Sequence, residues 1–584
     1  MSQLLYRLGR FSARRPWAVI ASWLVVSVVV IGASGTVGRE LEDSFQAPGV
    51  DSHKATELLS SAGSDQAGLT AQVVLTPRAA GATFFDSPEA RAALRTVQAE
   101  VGELPNVLRT SDPVAALAAG REAATASRSV SKDGRVALIR LHYPGLEKLE
   151  AGDLENLKAF GAQAGAGSPL RVEMGGDLFF AFEEPESGTR ELIGLLAAAV
   201  VLFVAFGSLI AVGLPIGMAL FGLALGISSL SLVTYLIEIP SWAPELAVMV
   251  GLGVGIDYAL FLVARHREQL ARGLTIDESI GRAGATAGQV VVFAGGTVVI
   301  AILGLSVAGI PFITAAGVAI AIVVLIMVLA AVTLLPAFLG LAGTWINRLG
   351  PPRSAAREDA AAGSGWRRWG DHVARHARAY TIGVTLLLLA LAAPVVALKM
   401  GNPDEGSLPE TRTERRAYDL VAAAFGPGSN GPLIVAVDVS KDASVVEPLR
   451  RAISADDGIA AVDAPAGSSA AGVATLTAYP ATGPQDAATR DTLSRLRSDV
   501  LPSVIADSPA RAHIGGQTAT SADVSDRVKD RLPLFIAAVI LLSFLLLVAV
   551  FRSVVVPLKA ALMNLLSIGA AYGVLVMVFQ WGWG

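Results

Sequence analysis

Hydrophobic residues fall in blocks along this 584-residue chain, and the blocks have the length of membrane crossings. A helix needs about 20 mostly apolar residues to cross a hydrocarbon layer about 30 Å thick. Nine stretches meet this, beginning near Trp17, Glu191, Val212, Pro244, Val290, Phe312, Thr381, Leu532 and Val554. They end near Ser34, Ala211, Ile237, Ala264, Ala308, Leu341, Leu398, Val550 and Phe579. The first is read as a crossing and not a cleaved leader, because its apolar run is long, no clear small-residue cleavage site follows, and many more spans come after it.

Two long polar stretches interrupt the blocks, at 35–190 and 399–531. In the first, alternating apolar runs at Gln72 to Thr76, Val107 to Thr110, Val136 to Tyr143 and Leu170 to Met174 predict strands. Helical patterns fall at Pro88 to Leu104 and Leu149 to Ala162. The second repeats the order, with strands near Leu433 to Asp438, Ile459 to Val462, Val473 to Tyr479 and Ala512 to Ile514 and helices near Ser444 to Ala455 and Asp486 to Leu501. Each is therefore expected to be a ferredoxin-like βαββαβ α+β domain. The expected layout is an N-terminus and first span (1–34), a first extracytoplasmic domain (35–190), spans two to six (191–341) and a basic linker (342–380). The seventh span (381–398), a second extracytoplasmic domain (399–531) and spans eight and nine (532–584) follow.

Arginine and lysine orient the spans, since such residues collect on the cytoplasmic side. They cluster at Arg7, Arg10, Arg14 and Arg15, at Arg265, Arg267, Arg272 and Arg282, through Arg348, Arg353, Arg357, Arg367, Arg368, Arg375 and Arg378, and at Arg552 and Lys559. With nine alternating crossings all four clusters share one side, which places the N-terminus in the cytoplasm and both polar stretches outside.

The chain also repeats itself. Ala13-Arg14-Arg15 matches Ala374-Arg375-His376 and Pro48 matches Pro409, both at an offset of 361. Gly175-Gly176 matches Gly515-Gly516, and Phe206-Gly207-Ser208 matches Phe551-Arg552-Ser553. Any one match is what chance gives in an Ala-rich chain; four in one order argue for duplication into parallel halves. On this reading the first half has six spans and the second three, so the counterpart of Asp257 would fall near position 602 (551 + 51), beyond the last residue, Gly584.

Composition narrows the function. Charged residues make up 16% of the chain, hydrophobic residues 53%, and mean hydropathy is +0.56. A soluble domain carries about 25% charged residues, so a soluble enzyme and a disordered chain are both excluded. A net charge of −4 gives no basic footprint for nucleic acid. The absence of cysteine removes disulfides, iron–sulfur clusters and thiol catalysis. Histidines 53, 142, 266, 372, 376 and 513 show no convincing metal spacing. No catalytic constellation or cofactor signature appears in either polar stretch.

One charge stands out against this background. The fourth span reads Gly251-Leu252-Gly253-Val254-Gly255-Ile256-Asp257-Tyr258, which puts a carboxylate deep in an apolar helix. Such a group costs several kcal/mol and is rare there without a purpose. Burial raises a carboxyl pKa, so Asp257 would load and release a proton, with Tyr258 able to donate and accept a hydrogen bond. Gly251 and Gly255 form a small-xxx-small face for close helix packing, and Gly253 lies between them. The competing reading makes Asp257 a packing pin that never titrates.

At these residues the chain resembles the MMPL transporters of the resistance-nodulation-division superfamily. The resemblance rests on Gly253-x-x-x-Asp257-Tyr258, the two halves and the large polar stretches, with support from Phe45-x-x-Pro48-Gly49, Gly309-x-Pro311-Phe312 and Leu335-Pro336. It implies a polytopic helical bundle in a bacterial cytoplasmic membrane with twelve spans, of which nine are present. It also implies proton-driven export of lipids, lipid-like metabolites or drugs, with protons as the coupling ion and no other cofactor. Asp257 and Tyr258 would be half of a proton relay completed by an Asp-Tyr pair in the tenth span. In span five the family often has Ser where this chain has Ala294, ahead of Gly295-Gly296-Thr297-Val298, and Thr297 is the candidate replacement hydroxyl. Asp177, Glu183 and Asp523, together with Glu184, Glu186 and Asp526, are candidate gating acids, with a solvated helix face as the plainer reading. The segment from Trp366 to Arg378 would lie on anionic lipid, or simply on the protein surface. A non-transporting lipid-binding scaffold or sensor of the same superfamily is the alternative function.

Overall fold

The computed structural model describes residues 1–39, 41, 49–182, 189–347, 365, 368–398, 401, 403–463 and 472–583. It separates into an apolar unit (1–42, 186–399 and 531–584) and a polar unit (43–185 and 400–530). Glu183, Glu184, Glu186, Phe45, Pro48, Trp366 and the arginines at 348, 353, 357 and 367 lie outside the described residues.

Eight described helices are long and apolar enough to cross a membrane: Pro16–Val37, Leu209–Val233, Ala243–Ala271, Ile276–Val307, Pro311–Ile346, Ala377–Ala397, Gln517–Ala549 and Val555–Gln580. The stretch expected to be the second of nine spans forms helix Thr189–Phe206, whose Leu192–Phe206 part is apolar. The apolar run is broken there by Gly207 in a left-handed conformation (φ 64°) before a new helix starts at Leu209. The fourth span continues past its apolar part to Ala271, so Arg265 and Arg267 sit on the helix and not in a loop.

Pro311–Ala342 is the core of this unit. Its residues Ala319, Val323, Val324, Met327, Ala330 and Ala331 are fully or almost fully buried. Neighbouring helices approach it through glycines, the packing that lipid-embedded helices favour because it lets backbones close in. A Cβ on Gly222 would stand 3.0 Å from Met327 Sδ, and one on Gly255 also 3.0 Å from that sulfur. One on Gly226 or Gly251 would meet Val323, at 3.1 and 2.8 Å. An amphipathic helix, Ser2–Arg14, precedes the first span and is fastened by Arg10 and Arg14 to Asp277 (3.1 and 2.9 Å) and by Tyr6 to Glu278 (2.6 Å).

The polar unit holds two four-stranded antiparallel sheets. The first comprises β1 (Thr70–Pro77), β2 (Arg109–Thr110), β3 (Ala137–His142) and β4 (Leu170–Gly175) in the order β2-β3-β1-β4. The second comprises β5 (Leu433–Asp438), β6 (Ile459–Val462), β7 (Val473–Pro480) and β8 (Arg511–Gly515) in the order β6-β7-β5-β8. Helices Pro88–Val101 and Ala151–Gly165 connect strands of the first sheet, and Val446–Ser454 and Ala487–Arg495 connect those of the second. Period-2 alternation gives each sheet two apolar faces. In the first, Ala137, Ile139 and Leu141 pack with the connecting helices, and Val136 and Leu138 point the other way.

That second face is covered from the opposite half of the sequence. Helix Thr413–Phe425 lays Ala417 and Val421 against Val74, Val136 and Leu138 of the first sheet. Helix Asp51–Ser61 lays Ala55 and Leu59 against Ala436 and Val473 of the second. The two polar stretches therefore do not fold as independent domains, as the pattern suggested; they exchange helices and share one unit.

Candidate functional site

Asp257 sits midway along the Ala243–Ala271 helix, whose two sides differ. Gly251, Gly255, Tyr258, Ala259, Leu262 and Val263 are buried against neighbouring helices. Leu246, Met249, Gly253, Asp257 and Phe261, spaced by three or four residues, form an exposed stripe. Among the described residues, nothing beyond its own helix backbone lies within 4 Å of a Cβ placed on Gly253, one turn from Asp257. The Asp257 carboxylate has no hydrogen bond or ion pair among the described residues.

Tyr258 points inward, 7% exposed, and its ring edge lies 3.4 Å from the Cβ position of Gly295 on the next span. The absence of a side chain at Gly295 makes room for Val328 of the central helix, which a Cβ there would strike, with the tyrosine edge beside it. Thr297 is half-buried on that span, and its hydroxyl donates to the Phe293 carbonyl of its own helix at 2.8 Å. The structure brings Tyr258 and the span-five glycine together, and it does not join Thr297 to Asp257 by a hydrogen bond. The glycines divide as well: Gly251 and Gly255 pack, while Gly253 shares the open stripe with the acid.

Of the other candidate acids, Asp177 and Asp523 have partners inside the polar unit. Asp177 accepts from Thr70 Oγ1 at 2.6 Å, and burial holds its carboxyl above the ordinary range despite that bond. Asp523 accepts from the Ser52 amide at 3.0 Å and pairs with Arg497, which closes the start of the exchanged helix Asp51–Ser61. Of the histidines, His513 bonds Asp51 at 2.7 Å, and His372 lies beside His376 with ring centres 4.6 Å apart and ring planes tilted by 37°.

Sequence reasoning missed Glu405. It lies against Gly175 and Gly176 at the end of β4 and accepts from the Gly176 amide. Burial pushes its carboxyl up to about 8; the Gly176 amide opposes this, and the charges of Asp177, Glu414 and Asp404 add to it. The sequence shows only one acid among several after the seventh span.

Comparisons with known proteins agree with the resemblance. The MMPL family pattern matches residues 44–380 and 433–583. The chain is 33% identical to Membrane protein YdfJ of Bacillus subtilis, over all of this chain and 78% of that protein. It is 30% identical to Mycolic acid-containing lipids exporter MmpL11 of Mycolicibacterium smegmatis, over 99% of this chain and 61% of that one. It is 28% identical to Heme uptake protein MmpL11 of Mycobacterium tuberculosis, over 99% and 60%. The chain thus spans about three fifths of the MmpL11 proteins' length. With a match over most of its residues, this multi-pass membrane chain belongs to the MMPL family.

Proposed function

We propose that this chain exports lipid-like or amphiphilic molecules across a bacterial cytoplasmic membrane and that protons drive it, with Asp257 as the proton carrier and Tyr258 beside it. The observation that carries this reading is a carboxylate at the centre of an apolar helix, on an open stripe, without a partner among the described residues. A structural pin would be expected to have a partner, because an isolated charge in hydrocarbon is expensive. Protonation removes the charge and changes what the stripe can pack against. One charge crossing 100 mV is worth about 2.3 kcal/mol, and one pH unit adds about 1.4 kcal/mol. Either is enough to bias a two-state packing of helices. The two βαββαβ halves of the polar unit would act as the porter elements. The smegmatis MmpL11, named for export of mycolic acid-containing lipids, supports the substrate class.

The test uses the full-length protein in proteoliposomes carrying a fluorescent lipid and an imposed pH gradient. Asp257→Asn is expected to abolish gradient-driven export while melting temperature stays within a few degrees of wild type. Export that persists in Asp257→Asn would remove Asp257 from the mechanism. A wild-type protein that binds lipid and moves none would favour a scaffold or sensor.

A further inference from the structure

In the polar unit, Tyr479 on β7 is buried, with a guanidinium from the first sheet's half on its ring. Arg128 lies 4.2 Å from the ring centre, and Arg140, on β3, lies at 5.8 Å. The Tyr479 hydroxyl donates to Asp463 at 2.8 Å, so the nearby carboxylate is already engaged by the phenol. Arg128 gives one nitrogen to the Phe425 carbonyl at 2.6 Å and to the Ser429 hydroxyl, yet its Nε is fully enclosed without an acceptor. Arg140 Nη2 is likewise enclosed without an acceptor, and the Arg140 head makes no hydrogen bond or ion pair among the described residues.

Two like charges side by side with enclosed, unanswered N–H groups form an uncommon arrangement in a folded protein, where buried donors are almost always satisfied. Burial lowers the Arg128 pKa, and the neighbouring Arg140 lowers it further, although Tyr479 and Asp463 oppose this. Backbone conformation adds an independent observation. Arg128 holds φ at 53°, just past helix Arg121–Ala126, in the left-handed region that glycine adopts with far less strain. Residues kept in such conformations tend to mark places where a side chain has to be aimed. Here the aim brings a guanidinium from the first sheet's half to an aromatic ring of the second.

We infer that Arg140 and Arg128, set on Tyr479, form a seat for an oxyanion, the phosphate or carboxylate headgroup of an amphiphile. Guanidinium N–H groups present a planar fork that matches such oxygens. The tyrosine face holds both heads in place when the seat is empty. This rests on the export reading and gives its substrate a charge: the preferred amphiphile is anionic.

The full chain in phosphatidylcholine nanodiscs is titrated with fluorescently tagged dodecyl phosphate, with empty discs subtracted, and with neutral dodecyl glucoside and inorganic phosphate as competitors. Arg140→Gln is expected to weaken dodecyl phosphate binding by about tenfold or more, with melting temperature unchanged because that head has no protein acceptor to lose. Arg140→Lys, which keeps the charge without the fork, should fall between the two. Displacement by inorganic phosphate as strong as by dodecyl phosphate would assign the seat to a free oxyanion and overturn the headgroup reading. Unchanged affinity in Arg140→Gln, with or without a lower melting temperature, would make the stack a tie between sheets and overturn the seat. Either failure leaves the Asp257→Asn result standing, so loss of this inference is distinguishable from loss of the export reading.

Discussion

At the first sheet the strand supplies the acid and the exchanged helix the base; at the second the strand supplies the base and the helix the acid. Glu173 on β4 accepts from Thr413 and Arg416 of helix Thr413–Phe425 (both 2.8 Å), with Arg171 alongside at 2.7 Å. His513 on β8, at the matching place in the repeat, meets Asp51 of helix Asp51–Ser61, which also accepts from the Ile514 amide at 2.9 Å. Burial works against Glu173 and Asp51 as anions, and their bonded partners more than offset it, so both carboxyls sit below the ordinary range. The duplicated geometry survived while the carboxylate moved from the strand to the helix. The switch also disfavours the unexchanged arrangement: docked on its own half's sheet, the Asp51 helix would set its acid against Glu173. Unfavourable pairing in the wrong arrangement selects as effectively as attraction in the right one.

The largest expected effect comes from removing the acid at the more buried seat. Glu173→Gln leaves Arg416 and Arg171, both partly exposed, facing a neutral amide and should cost about 2–3 kcal/mol, read as a fall in melting temperature of the purified chain. An unchanged melting temperature would mean that the apolar contacts of Ala417 and Val421 hold the helix alone. Asp51→Asn should cost less, about 1–2 kcal/mol, because the Ile514 amide and Arg497 keep a neighbouring oxygen. Combining it with His513→Gln should cost less than the sum of the two single changes, by about 1 kcal/mol; strict additivity would separate the two residues energetically.

A smaller difference between the seats is pH dependence. Glu405 flanks only the first seat, and its folded pKa of about 8 lies above its ordinary value. The folded protein therefore holds a proton that the unfolded chain gives up between about pH 4.5 and 8. That contribution is complete below the lower value and disappears as pH rises through the upper one. Melting temperature should fall across this window in wild type and less so in Glu405→Gln; parallel profiles would show that Glu405 does not titrate there. Glu173 and Asp51 act in the opposite direction, with their stabilisation lost only in strong acid.

Much of this was legible in the sequence because it is local. The strands of both polar stretches followed from apolar alternation, although the short helices Pro113–Ala118 and Arg121–Ala126 between β2 and β3 did not, and Asp257 was conspicuous as a lone acid among small and aliphatic residues. The exchange was not legible, since the signal lies in pairs such as Asp51 with His513 that are hundreds of residues apart. The short helix at 51–61 has only Ser52, Ala55 and Leu59 as its buried stripe, too few to distinguish it from a solvated loop. Arg128 and Arg140 escaped notice for another reason: an arginine in a polar stretch is unremarkable until its surroundings show which of its N–H groups are enclosed without an acceptor. The second span ends at Phe206 and not at Ala211, because an apolar run records composition and not the break at Gly207.

Met327 carries a mechanical consequence. Its single sulfur bears on the notches of both Gly222 and Gly255, so the Leu209–Val233 helix and the acid-bearing helix share one fulcrum on the central helix. A thioether on an unbranched stem changes rotamer at low cost, which makes it a lubricated bearing where a branched side chain would be a wedge. Rocking of the Asp257 helix would turn on that bearing and carry the neighbouring helix with it.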